Sequence, residues 1–340
     1  MPAITKPNLH FDTTLYTGTG SNGLAVTNGG FQPDLIWLKS RNNTYYHNLL
    51  DSVRGAGVRL FSNLTDAESD NDCQSSFDSN GFTLNADAGG VNNSTTTYVA
   101  WQWKGGGTAV SNTSGTITSS VSANPTAGFS VVTYTHNGTN AATVGHGLGV
   151  TPSFIINKQR SAASTNWRCY HASLTAGYNI QLNLTQAQGT AADIFQTAPT
   201  SSVFTPGNGD SASGQTFVSY CFAPIAGYSA FGSYTGNGTQ GAGPFVYTGF
   251  RPRYVLIKNI NGAYDWHCFD TVRGQYNYSG SNILKPNSSD AELTARNDVQ
   301  IDFLSNGFRL IGNDIGINQS TSTHIYAAFA SAPFKYANAF

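Results

Sequence analysis

One stretch of this chain is written three times. Around Pro33 it reads Gly-Phe-Gln-Pro-Asp-Leu-Ile-Trp-Leu-Lys, around Pro152 Gly-Val-Thr-Pro-Ser-Phe-Ile-Ile-Asn-Lys, and around Pro252 Gly-Phe-Arg-Pro-Arg-Tyr-Val-Leu-Ile-Lys. Solenoid units run about 20–50 residues, and these prolines stand roughly a hundred apart, so the repeating unit is of domain size. Other landmarks keep their order. Tyr16-Thr17-Gly18, Tyr134-Thr135 and Tyr234-Thr235-Gly236 precede the prolines, and Asn63-Leu64-Thr65, Asn183-Leu184-Thr185 and Asn287-Ser288-Ser289 follow them. Each copy closes on an apolar run, at 98–103, 217–222 and 324–329.

The apolar segments are short, rich in β-branched and aromatic residues, and bounded by Gly, Asn, Ser and Asp, which is the pattern of strands and turns. In 98–103 Val99, Trp101 and Trp103 alternate with Tyr98, Ala100 and Gln102, as expected of a strand with one face to a core. The expected fold is all-β: three tandem antiparallel β-sandwich, jelly-roll-like domains from an internal triplication. They are placed at 15–104, 127–224 and 228–340. Residues 1–14 are expected to be an attachment segment, and 105–126, almost all Gly, Ser, Thr, Ala, Asn and Val, a flexible linker.

Charge removes several function classes. Lys and Arg number 17 against 18 Asp and Glu, and charged residues make up 10% of the chain. No net field is available to hold a polyanion, so nucleic-acid binding is not expected. No apolar run reaches the length of a membrane span, so no membrane insertion is expected, and the opening Met1-Pro2-Ala3-Ile4-Thr5-Lys6 has no apolar signal core, which points to synthesis in a cytosol. Four cysteines lack CxxC or histidine-paired spacing, and Cys169 and Cys268 occupy matching places in different copies. Free thiols are expected, with no metal and no cofactor.

The copies also test candidate catalytic groups against each other. Asp66 and Glu68 recur as Asp290 and Glu292, a spacing that could serve an acid and a base. The middle copy has Gln186 and Gln188 instead, and it also lacks the Asp51…Arg54 and Asp270…Arg273 pairs found in its neighbours. Carboxylates and arginines vanish together, which favours structural pairing of Asp51, Arg54, Asp66 and Glu68, and of Asp270, Arg273, Asp290 and Glu292, over chemistry. No catalytic residue is expected, and Arg54→Glu should destabilise the fold. Aromatic residues beside Asn and Asp suit sugar binding, because a pyranose stacks its apolar face on a ring. Tyr45, Tyr46, Tyr264, Tyr276 and Tyr278 are the candidates, whereas Trp167 and Trp266 recur in register and are expected to pack inward.

The opening Ile4-Thr5-Lys6-Pro7-Asn8, the Gly-Phe-x-Pro-Asp-Leu-Ile-Trp-Leu-Lys segment, 51–55, Asn80-Gly81-Phe82 and the closing run 98–104 together resemble β-rich repeat virion proteins of marine tailed bacteriophages, of tail-fibre or appendage type. The resemblance implies a phage structural protein localised to the virion, a tail fibre or receptor-binding appendage. Its implied partners are other virion proteins and a host-surface polysaccharide or protein receptor. Contact would be multivalent, and a homo-oligomer, with a trimer plausible for a fibre, is the expected assembly. A capsid-decorating knob and a polysaccharide depolymerase are the alternatives.

Overall fold

The computed structural model describes residues 4–86, 90–190, 194–207, 213–274, 277 and 280–330. Among them the chain is all-β, built from antiparallel sheets, with one 3-10 turn at Pro7–Leu9 and one helical turn at Ile315–Asn318. The largest sheets share a strand order. In the first segment Phe11–Thr17 pairs with the closing strand Thr97–Trp103, which pairs with Leu35–Ser40, and that with Asn48–Asp51. The second repeats this with Phe129–Thr135, Thr216–Phe222, Phe154–Gln159 and Arg168–His171. The third does so with Ser229–Thr235, Thr323–Ala330, Pro252–Asn259 and Trp266–Asp270. A closing strand therefore lies in the middle of its sheet each time.

A smaller sheet covers one face of each large one: Leu24–Thr27, Gly81–Leu84 and Gln74–Asp78 in the first segment, Val144–Gly145 with Val203–Phe204 in the second, and Phe245–Tyr247, Gly307–Leu310 and Ile301–Leu304 in the third. Val26, Phe82 and Leu84 meet Ile36, Leu38 and Ala100 across the first of these sandwiches. The opposite face is buried too. Val99, Trp101 and Trp103 join Val218, Tyr220, Phe222, Tyr254, Leu256 and Phe329 in one core common to all three segments. Both faces of Leu35–Ser40 and of 98–103 are consequently dry, where alternation suggested a single buried face. Sheets covered on both sides read as continuous apolar runs.

The three closing strands meet through equivalent aromatic residues. Ring centroids of Trp103 and Phe222 lie 6.0 Å apart, of Phe222 and Phe329 5.7 Å, and of Trp103 and Phe329 5.5 Å. All three pairs are edge-on, the arrangement ring quadrupoles favour. The void beside them is only about 10 Å³, at the limit of holding one water. The axis is thus a packed core and not a binding site.

Two expected boundaries are corrected. Residues 105–126 are not a free linker: Val110–Asn112 and Ser119–Asn124 are strands that extend the second sheet, the latter pairing along its length with Phe129–Thr135. The backbone supplies that ladder, so small polar side chains do not prevent it. Within the expected attachment segment 1–14, Phe11 and Ile4 belong to the common core, and 11–14 pair with the first closing strand. All four cysteines are buried and none is in a disulfide.

Candidate functional site

The recurrent charged residues lie at the seams between segments. After Asn48–Asp51 the chain turns, and Asp51 Oδ1 accepts the Arg54 amide at 2.9 Å while Oδ2 takes Arg54 Nε. Arg54 Nη2 also donates to the Leu49 carbonyl at 2.9 Å. Asp270 and Arg273 repeat this turn, with Arg273 Nη2 on the Cys268 carbonyl. Each aspartate then accepts one bond from another segment: Tyr220 Oη donates to Asp51 at 2.9 Å, and Trp101 Nε1 to Asp270 at 3.0 Å. The second segment has His171 at this position, and its Nε2 donates to the Tyr326 carbonyl of the third segment at 3.1 Å. The closing strand of each segment thus grips a turn of another, in a closed cycle. Burial works against ionised Asp270, but Arg273 and Trp101 outweigh it and hold the carboxyl below its usual range. Burial likewise opposes charged Arg54, and Asp51, Tyr220 and Glu68 reverse the effect.

A second cycle surrounds the first. Arg160 clamps Glu68 with two bonds of 2.8 and 2.9 Å, and Arg41 clamps Glu292 with two of 2.9 Å. Arg54 Nη1 lies 3.6 Å from Glu68 and Arg273 Nη1 3.2 Å from Glu292, so each glutamate bridges arginines of two segments. At the third seam Gln188 and Ile260 stand in place of the glutamate and arginine and share the main-chain bond, Gln188 N to Ile260 O at 3.1 Å, whose counterparts also join the other two. Asp66 and Asp290 are exposed and form no ion pair with the arginines, which corrects their expected share in the pairing. The Arg160–Glu68 pair keeps 19% and 25% side-chain exposure, so water screens it. Arg160→Met should therefore lower the unfolding free energy by about 1 kcal/mol or less, measured by urea titration.

Sequence reasoning missed three buried lysines that end the thrice-written motif. Lys39, Lys158 and Lys258 are wholly buried and use main-chain carbonyls as partners, among them Thr65 from the first segment for Lys158 and Thr185 from the second for Lys258. Desolvation lowers Lys39 to about 8 and Lys258 to about 7. The signal was their recurrence at one motif position. Trp167 and Trp266 are buried and span seams, their indoles donating to the Phe61 and Gln181 carbonyls at 2.8 and 2.9 Å.

The tyrosines divide. Tyr45 is half-buried, its hydroxyl accepting from Asn93 Nδ2 at 2.6 Å, and Tyr46 is 43% exposed, edge-on to Phe61. Tyr276 and Tyr278 lie outside the described residues. Tyr264 lines a cavity of about 240 Å³ together with Ile283, Leu293, Val299 and Ile315, and Thr185 of the second segment also touches it. Asp265 and Lys285, paired at 2.7 Å, belong to the same lining with Arg296 and Asp314. Burial opposes ionised Asp265, but Lys285 and Asn287 keep its carboxyl below the ordinary range. His267 is 96% buried from solvent, at 4% exposure, and its Nδ1 has no protein partner. Desolvation depresses it to about 4 despite Asp314 and Asp265, so the ring is neutral. A Cβ on Gly316 would fall 2.6 Å from His267 Cε1, so only glycine lets the helical turn lie against the imidazole.

The corresponding places elsewhere carry other side chains. Arg168 replaces His267 in the second segment, where the void is about 10 Å³, and Asn48 replaces it in the first, met by Arg59. Among the described residues no three His, Cys, Asp or Glu side chains gather as a metal site, and no helix is long and apolar enough to cross a membrane.

These features define an all-β protein whose repeated charged and aromatic residues tie its segments together, with a cavity beside Tyr264 in the third. The chain belongs to the family described as Domain of unknown function (DUF7483), which matches residues 6–333. No curated protein and no solved structure matches it.

Proposed function

We propose that this chain is a structural protein of a tailed-phage virion, a tail fibre or receptor-binding appendage built by internal triplication of a β-sandwich unit. The observation that carries the structural role is the destination of the recurrent side chains. Trp103, Phe222 and Phe329 pack on one axis, and Asp51, Arg54, Glu68, Asp270, Arg273 and Glu292 close the seams. Their recurrence is explained by cohesion, with no catalytic duty left to assign, which supports a scaffold that is not an enzyme. A stiff body suits an appendage, because contacts held at fixed spacing multiply modest affinities through effective concentration. Its partners are other virion proteins and a host-surface polysaccharide or protein receptor, and its copies associate with one another on the particle.

Gold-labelled antibody imaging of purified particles tests this reading. A few copies at the tail, with the free protein competing against phage adsorption, is the expected result. Dense labelling of the head would favour the capsid-decorating alternative, and an unlabelled particle would overturn the proposal.

A further inference from the structure

We propose that the cavity of the third segment binds a single neutral pyranose residue, a site that deepens the host-contact reading above and rests on it for biological meaning. Its volume, about 240 Å³, falls just below the about 300–1,000 Å³ of drug-sized ligand sites, which suits one sugar ring and not an extended chain. The lining is mixed. Ile283, Leu293, Val299 and Ile315 offer apolar surface to ring C–H groups, and Tyr264 adds an aromatic ring.

The polar groups select against anions. Lys285 is paired with Asp265 and Arg296 with Asp298, and His267 is neutral, so an anion entering the cavity meets cations that carboxylates already hold. Hydroxyl groups, which both donate and accept, fit such a mixed lining. Tyr264 is set by a close approach, since a Cβ on Gly262 would fall 2.4 Å from its Cε2. At the matching place of the second segment, beside Arg168, the space is only about 10 Å³.

The test is saturation-transfer NMR on the full chain with methyl glycosides of glucose, galactose, mannose and N-acetylglucosamine, and with methyl glucuronide as the charged comparison. At least one neutral glycoside should receive saturation on its ring protons. Tyr264→Ala and Ala263→Trp, the second placed at the exposed rim so that folding is untouched, should each weaken that binding at least tenfold, while the distant Tyr247→Ala leaves it unchanged. Failure of every neutral glycoside to bind, unchanged binding by both pocket variants, or tighter binding of the glucuronide would each overturn the proposal. The virion assignment is tested separately by imaging and survives a negative result here.

Discussion

Asp270→Ala is expected to lower the unfolding free energy by about 3–5 kcal/mol, because removing one partner of a buried ion pair strands the other. Arg273 has no exposed side-chain surface and donates its Nε–H to Asp270, with Glu292 3.2 Å away at Nη1. The same carboxylate receives the Trp101 indole from another segment, and it accepts the Val272 and Arg273 amides at the turn. The substitution thus leaves a guanidinium, an indole N–H and two amides wanting acceptors at one seam. Asp51→Ala should do comparable damage through Arg54 and Tyr220. Urea titration beside Arg160→Met checks the contrast: a loss for Asp270→Ala no larger than for that screened pair would contradict the seam account.

Acid should undo the protein well before its carboxylates are neutralised. His171 donates from Nε2 to Tyr326 and accepts the Ser173 amide at Nδ1, so a second ring proton would break the latter bond. His47 is fixed the same way, with Nδ1 accepting from the Trp37 indole at 3.0 Å. Burial brings His171, His267 and His324 down to about 4 and His47 well below its ordinary value. The folded pKa lies below the unfolded one. The unfolded chain therefore binds protons between pH 6.5 and 4 that the folded chain refuses, and stability falls as pH drops through that window. At about 1.4 kcal/mol per unit, His171 alone accounts for roughly 3 kcal/mol. Asp12 and Asp34, whose carboxyls burial raises, work in the opposite direction and soften the lower end. Lys258, lowered to about 7 by desolvation, adds stability as pH rises above that value. Urea midpoints should drop steeply from about pH 7 to pH 4.5, and a flat profile would refute the neutral-histidine assignment.

Strand positions were legible because each follows from local chemistry. The apolar halves of the thrice-written motif appear as Leu35–Ser40, Phe154–Gln159 and Pro252–Asn259, and the closing runs extend by a residue or two. The second buried face was not legible, since alternation in 98–103 is the same whether Tyr98 and Ala100 meet water or another sheet. Ser119–Asn124 was hidden for a different reason: its pairing uses main-chain groups that composition does not report. Arg54 and Arg273 were recognisable as needing carboxylates, but Tyr220, Trp101, Arg41 and Arg160 come from other segments, and no spacing rule reaches that far. Of the candidate site, Tyr264 was named from its setting beside Asp265. His267 was not, because its unpartnered nitrogen is a consequence of packing by Gly316 and Ile315.

Differential scanning calorimetry of the full chain bears most directly on the idea that three segments share one core and one set of closed contacts. The shared axis and seams require a single transition whose calorimetric and van't Hoff enthalpies agree, shifted as a whole by Asp270→Ala. Two or three separable transitions, with only one moved by that substitution, would show independent domains and contradict the account.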